Sequence, residues 1–130
     1  MFFSFLRPIV DGVAKAQEVY YAANGEYSSS FENLDITVPE GGTLTVQESG
    51  EQINYPDYVC RIQSAGRAVY CTSGTRGYYR IDLDPVQGNV RKCYINLSSS
   101  KKDLFEKVCK SLGGVEISSN VEGWKMYQLP

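Results

Sequence analysis

The sequence predicts an α+β domain in which a long N-terminal helix is laid on an antiparallel sheet of four or more strands, with a short helix in the C-terminal region. Three observations predict it. Apolar residues recur at helical spacing up to Asn24-Gly25, β-like runs then fill the middle of the chain, and a second amphipathic stretch stops at Gly113-Gly114. A single domain over 1–130 is expected, with 1–24 as helix and 25–130 as loop, sheet and C-terminal region. A chain of this length buries about two-thirds of its unfolded surface, enough for a core without a structural metal. With 42% hydrophobic and 22% charged residues, no tract is biased enough to imply disorder, and no internal repeat is present.

In the first helix Leu6, Ile9, Val13, Ala16, Gln17, Tyr20 and Ala23 or Asn24 share one face, while Asp11, Lys15 and Glu18 fall towards the other. Asn24-Gly25 is a stop, because both residues tolerate the left-handed conformation that ends many helices. At the other end, Ser4 is suited to cap a helix beginning at Phe5, which leaves Pro8 near the first turn; alternatively the helix restarts with Pro8 at its first position. Tyr27, Phe31 and Leu34 then give a polar loop three apolar anchors.

Beyond the loop the period changes. Thr43-Leu44-Thr45-Val46-Gln47 alternates as a strand between the breakers Pro39-Glu40-Gly41-Gly42 and Ser49-Gly50. Residues 58–63 and 67–72 read as two strands around Ser64-Ala65-Gly66, and 77–83 and 90–97 as two more around an Asp-Pro-Gly-Asn turn. The aromatics of this meander are read as core and cross-strand packing rather than a ligand platform. Ser100 and Asp103 have capping-box spacing ahead of a helix whose apolar face is Leu104, Phe105, Val108, Cys109 and Leu112. Residues 115–118 and 123–129 are short strand candidates.

Four cysteines, Cys60, Cys71, Cys93 and Cys109, contain no Cys-x-x-Cys pair, and the chain has no histidine. Zinc sites need closely spaced ligand pairs so that two thiolates of one turn reach the same ion, so zinc is excluded. Two disulfides or four buried thiols remain; the disulfides are favoured and place the chain in an oxidising compartment. Cys60 and Cys71 are symmetric about Ala65-Gly66, so a hairpin pairing Ser64 with Arg67 sets them opposite each other, within disulfide range.

Without histidine, the commonest general base and the usual Ser or Cys triads are missing, and no enzyme activity is expected. The carboxylate pairs Asp82 with Asp84 and Glu32 with Asp35 are of a kind common on ordinary surfaces. Asp82-Leu83-Asp84 followed by Gly88-Asn89 is at most a faint calcium loop, read here as a turn, so no metal or cofactor is expected. Residues 1–60 carry nine acidic against two basic side chains, a net of −7, and residues 61–130 a net of +5. The basic residues are scattered over hairpins and a helix, without a nucleic-acid-binding motif, so no nucleic-acid partner is expected.

The run Ala16-Gln17-Glu18-Val19-Tyr20-Tyr21-Ala22-Ala23-Asn24-Gly25-Glu26-Tyr27, with its aromatic-anchored continuation to Ile36, resembles the helix exit of type IV pilins and type II secretion pseudopilins. Val108-Cys109-Lys110-Ser111-Leu112-Gly113-Gly114 and the Tyr-x-Leu-Pro end are similar to the C-terminal region of the same family, while the central meander matches only loosely. The resemblance implies a pilin-like head with a disulfide-closed C-terminal region. Cys93 and Cys109 would then be joined, as the paired cysteines near the end of many pilins are.

The function implied is that of a structural subunit of a bacterial type IV pilus or related filament, assembled by heterologous helical packing. Secretion pseudopilin, minor pilin and secreted disulfide-stabilised binding module are the alternatives. The expected partners are other pilin subunits, the isolated head being a monomer, and the expected location is a cell-surface filament, exposed to the periplasm before assembly. Complete pilins begin with a Gly-Phe-Thr-Leu-Ile-Glu-like processing site and an apolar helix of roughly 25 residues, long enough for a membrane. The opening Met1 to Val10 is interrupted by Ser4, Arg7 and Pro8, so the expectation is a head cut within its first helix, with membrane contact only through the absent half.

Overall fold

The computed structural model describes residues 2–73, 76–119 and 121–130, and of residues 2–5 the backbone alone. Helix α1 (Phe2–Asn24) is followed by a long loop and then by β1 (Thr43–Gln47), β2 (Gly50–Asn54), β3 (Val59–Gln63), β4 (Ala68–Ser73), β5 (Gly77–Asp82) and β6 (Val90–Asn96). Helix α2 (Lys102–Ser111), β7 (Val115–Ile117) and β8 (Trp124–Leu129) complete the chain. The strands form one eight-stranded sheet in the order β1-β2-β3-β4-β5-β6-β8-β7, antiparallel at every pairing. Helix α1 packs on β4 and β5 and helix α2 on β6 and β8.

A single cross-strand row defines the helix-bearing face. Leu44, Ile53, Cys60, Cys71, Tyr79, Cys93, Tyr127 and Glu116 face one another from edge to edge. Because strand side chains alternate, the neighbours Ile62, Val69, Ile81, Ile95 and Leu129 lie on the same face and are buried with them. From α1 the core receives Leu6, Val10, Val13, Ala14 and Gln17. The buried stripe is therefore rotated from the expected one. Ile9, Ala16 and Tyr20 flank it, and Ala23 and Asn24 are exposed. Phe31 and Leu34 enter the core, with Tyr27 partly buried against it, so the loop anchors fall where expected.

Both helix stops have the geometry their residues favour. Gly25 (φ 76°) donates its N–H to the Tyr21 carbonyl at 2.8 Å. At the end of α2, Gly113 (φ 85°) donates to Lys110 O and Gly114 to Cys109 O, each at 3.0 Å, the paired bonds of a Schellman motif.

The starts differ from expectation. Helix α1 is already regular at Phe2, so Pro8 lies inside it rather than at its first turn. The side chain of Ser4, the expected cap, lies outside the described residues. Pro8 is on the exposed side, where the carbonyl that its missing N–H leaves free can meet water. The capping box of α2 does not form either. Lys101 occupies the cap without a side-chain bond, because Ser99 already turns the chain by accepting the Lys101 N–H through Oγ at 3.2 Å. Leu104 is 49% exposed, since the face that α2 buries is the narrow strip Phe105, Val108 and Cys109 with Leu112 at its margin.

Strand β2 was not anticipated. Its Glu51, Gln52 and Asn54 are polar, leaving Ile53 as its one apolar residue, and Gly50 reads as a breaker. Gly50 instead permits close pairing, because a Cβ there would lie 1.8 Å from the Ile62 carbonyl oxygen.

Candidate functional site

The exit of α1 is fastened by one side chain. Gln17 is fully buried and meets Ser28, also buried, twice: its Nε2 donates to Ser28 O at 2.7 Å and its Oε1 accepts the Ser28 N–H at 2.8 Å. An amide carries both a donor and an acceptor, so glutamine mimics the pairing of a sheet and holds the loop backbone against the helix. Beneath it lies Gly66 (φ 91°), whose Cβ would come within 2.4 Å of Ser28 O and 2.7 Å of Tyr27 Cβ. The β3–β4 turn, the helix and the loop thus meet at one point. A neighbouring carboxylate extends the fastening, Glu51 Oε1 accepting the Phe31 N–H at 2.6 Å.

Each helix is also tied to the sheet by a tyrosine hydroxyl. Tyr79 of β5 donates to Asp11 Oδ1 of α1 at 2.7 Å, and Tyr127 of β8 donates to Glu106 Oε1 of α2 at 2.5 Å. Lys125 Nζ reaches the same Glu106 oxygen at 2.8 Å, with Lys110 and Glu116 at the margin of the cluster. The Lys125 hydrogen bond, then that of Tyr127, holds the Glu106 carboxyl down at about 2. Burial, reinforced by the carboxylate, pushes Tyr127 up to about 12, and burial with the Asp11 bond pushes Tyr79 to about 12. The phenols donate and the carboxylates accept, an arrangement that fixes each helix on the sheet. Asp11, expected on the side of the helix away from the buried stripe, sits instead at the helix–sheet seam.

The cysteines pair as expected, Cys60 with Cys71 and Cys93 with Cys109. The first bond joins facing residues of β3 and β4, Cα atoms 4.0 Å apart, in the register derived from the symmetric hairpin. The second joins β6 to α2 across 6.0 Å and closes the C-terminal region.

The expected carboxylate pairs are otherwise engaged or exposed. Asp82 pairs with Arg80 at 2.9 Å and Lys92 at 3.2 Å. Asp84 Oδ1 accepts the N–H groups of Val86 and Gln87, bonds that hold its carboxyl below the usual range and make it the cap of the turn. Glu32 and Asp35 are exposed on the loop. Among the described residues no three His, Cys, Asp or Glu side chains gather to hold a metal ion, and no helix is long and apolar enough to cross a membrane.

On the helix-free face, Tyr70, Tyr78, Tyr94 and Trp124 stand side by side across β4, β5, β6 and β8. Tyr78 stacks on Tyr94 with centroids 4.0 Å apart, and Tyr70 and Trp124 flank Tyr78 at 5.4 and 5.5 Å. The guanidinium groups of Arg61 and Arg80 lie 5.9 and 5.6 Å from the Tyr70 ring. The ring faces are spent on each other and on these cations, which is cross-strand packing.

A different surface is open. Along one flank of α1 a groove of about 380 Å³ runs between the helix and the loop, lined by Ala16, Val19, Tyr20 and Leu34 and edged by Lys15 and Asp35. Gln17 fastens the same loop further back along the chain, at Ser28, and does not itself line the groove. Sequence reasoning identified the cysteines and the loop anchors but missed the Gln17 clamp and both tyrosine ties. Glutamine in a buried stripe, and tyrosine at inward positions of β5 and β8, were the available signals. No family model, no curated protein and no solved structure matches this chain.

Proposed function

We propose that this chain is the head of a structural filament subunit of the type IV pilin kind, the secretion pseudopilin being the nearest variant. The observation that carries the reading is the disposition of α1. One side of the helix is committed to the sheet, and its flank presents a largely apolar groove against a loop that Gln17 fastens at Ser28. Assembly follows from repetition: one surface of a head meets a different surface of the next, and a rotation that does not close makes an open helical filament. The oppositely charged halves select register. Glu26, Glu32 and Asp35 are exposed beside the groove region, whereas several basic residues of the other half are partnered locally, Arg80 and Lys92 with Asp82 and Lys125 with Glu106. Exposed pairs contribute only ~0.2–1 kcal/mol each, so they orient contacts rather than hold them. Both disulfides accord with a periplasmic and then extracellular life, and the role is structural, not enzymatic.

The test is immunogold electron microscopy of the source cells with antibodies raised against this chain. Label repeated along the length of surface filaments supports the proposal. Protein recovered only as a soluble species in the periplasm or medium, with filaments unlabelled, overturns it in favour of a secreted binding module.

A further inference from the structure

The two edges of the sheet are built differently. Strand β7 is a short edge with Glu116 at its centre, beside Lys125 at 3.7 Å, as edges that resist pairing are. Strand β1 has no such protection. Thr43-Leu44-Thr45-Val46-Gln47 carries neither charge nor proline, and its pairing with β2 runs without a bulge. Leu44 is 53% and Val46 76% exposed, both on the helix-bearing face but beyond the cover of either helix. The turn Glu48-Ser49 closes on Gln47 opposite Gly50. A two-residue hairpin closes on a hydrogen-bonded pair and the pattern alternates, so Thr43, Thr45 and Gln47 spend their backbone groups on β2 while those of Leu44 and Val46 point to the free edge.

We propose that this edge pairs with β1 of a second copy of the chain, antiparallel, about a two-fold axis through Thr45. The occupant follows from the sequence of the strand, which is complementary to itself in that register. Leu44 of each copy faces Val46 of the other on one face of the sheet, and Thr43 faces Gln47 and Thr45 its own counterpart on the opposite face. Just outside the strand, Glu48 meets Gly42 instead of another carboxylate. The outward backbone groups of Leu44 and Val46 fall opposite each other and satisfy one another, giving one continuous sheet across both copies. A five-residue edge buries less than the ~1,200 Å² of a stable interface, so the dimer is weak and forms only at high concentration. At low concentration the proposed pairing leaves the chain a monomer. This contact is isologous and separate from the heterologous packing of the proposed filament.

Sedimentation equilibrium of the isolated chain from micromolar to millimolar concentration tests it, with the Val46→Lys variant beside the parent. The parent's average mass should rise towards that of a dimer. Val46→Lys should weaken association by at least about tenfold while leaving the far-ultraviolet circular dichroism and melting temperature unchanged. Thr45→Cys supplies geometry: facing Cα atoms lie ~4.5 Å apart in a non-hydrogen-bonded pair, so mild oxidation should cross-link it readily and Thr43→Cys poorly. A mass that stays monomeric to millimolar, association indifferent to Val46→Lys, or cross-linking equal at both positions overturns the pairing. None of these outcomes depends on whether the chain is found in filaments.

Discussion

Replacing Gln17 by leucine isolates the clamp at the helix exit. The two side chains are close in volume, so the substitution leaves little cavity; what it removes is one donor and one acceptor. Ser28 is 3% exposed, and its N–H and C=O both lose their partner. An unsatisfied buried backbone group costs about 1–3 kcal/mol, and the gain from burying an apolar side chain offsets about 1 kcal/mol of the pair. The net loss expected is about 1–5 kcal/mol, which for a chain of this size lowers the melting temperature by roughly 4–18 °C. Urea unfolding followed by circular dichroism measures the free energy, and hydrogen exchange locates it. The Ser28 amide should lose its protection while amides of β4 and β5 keep theirs relative to global stability. A change under about 0.5 kcal/mol, with Ser28 still protected, would refute the reasoning, because it would mean that the loop backbone is satisfied without Gln17.

Gly66→Ala should act on the same junction from the other side: its φ of 91° and the 2.4 Å approach to Ser28 O predict a loss of at least ~1–3 kcal/mol, and a melting curve superimposable on the parent's would contradict it. The Glu106 carboxyl, held at about 2 in the folded chain against an ordinary 4.5, contributes stability that is present above pH ~4.5 and lost as pH falls through ~2. Glu106→Gln should therefore flatten the acid limb of the stability profile, and an acid limb unchanged by it would remove the cluster's role. Changing Cys93 and Cys109 together to alanine should lower stability by ~3 kcal/mol, given their separation of 16 residues, with α2 losing exchange protection first. Thermal melting should be insensitive to chelator, and a large drop restored by calcium would show a ligand role for Asp82 and Asp84.

How much of this was legible in the sequence depended on where a contact's partner is written. Cys60 and Cys71 were assignable because both ends of the contact are side chains of defined identity, and the symmetric turn between them left one register. Asn24-Gly25 and Gly113-Gly114 were readable because positive φ has few residue solutions. Strand β2 was hidden by its polar composition, since a peripheral strand with one apolar residue has almost no period to detect. The buried stripe of α1 was misplaced by part of a turn because Ile9, Ala16 and Tyr20 are as apolar as the residues that are buried.

The clamp was half visible. Val13, followed four residues later by Gln17, puts an amide on a buried face, and a buried amide has to find a donor and an acceptor. Its partners, however, are the N–H and C=O of Ser28, groups that every non-proline residue owns. Nothing in the identity of residue 28 distinguishes it from its neighbours as a main-chain partner. The same holds for Phe31, whose N–H takes Glu51, and for the Val86 and Gln87 amides that commit Asp84. Side chains that answer side chains leave a mark at both ends, as Cys60 and Cys71 do. Those that answer the backbone leave a mark at one end only, and the fold has to supply the other.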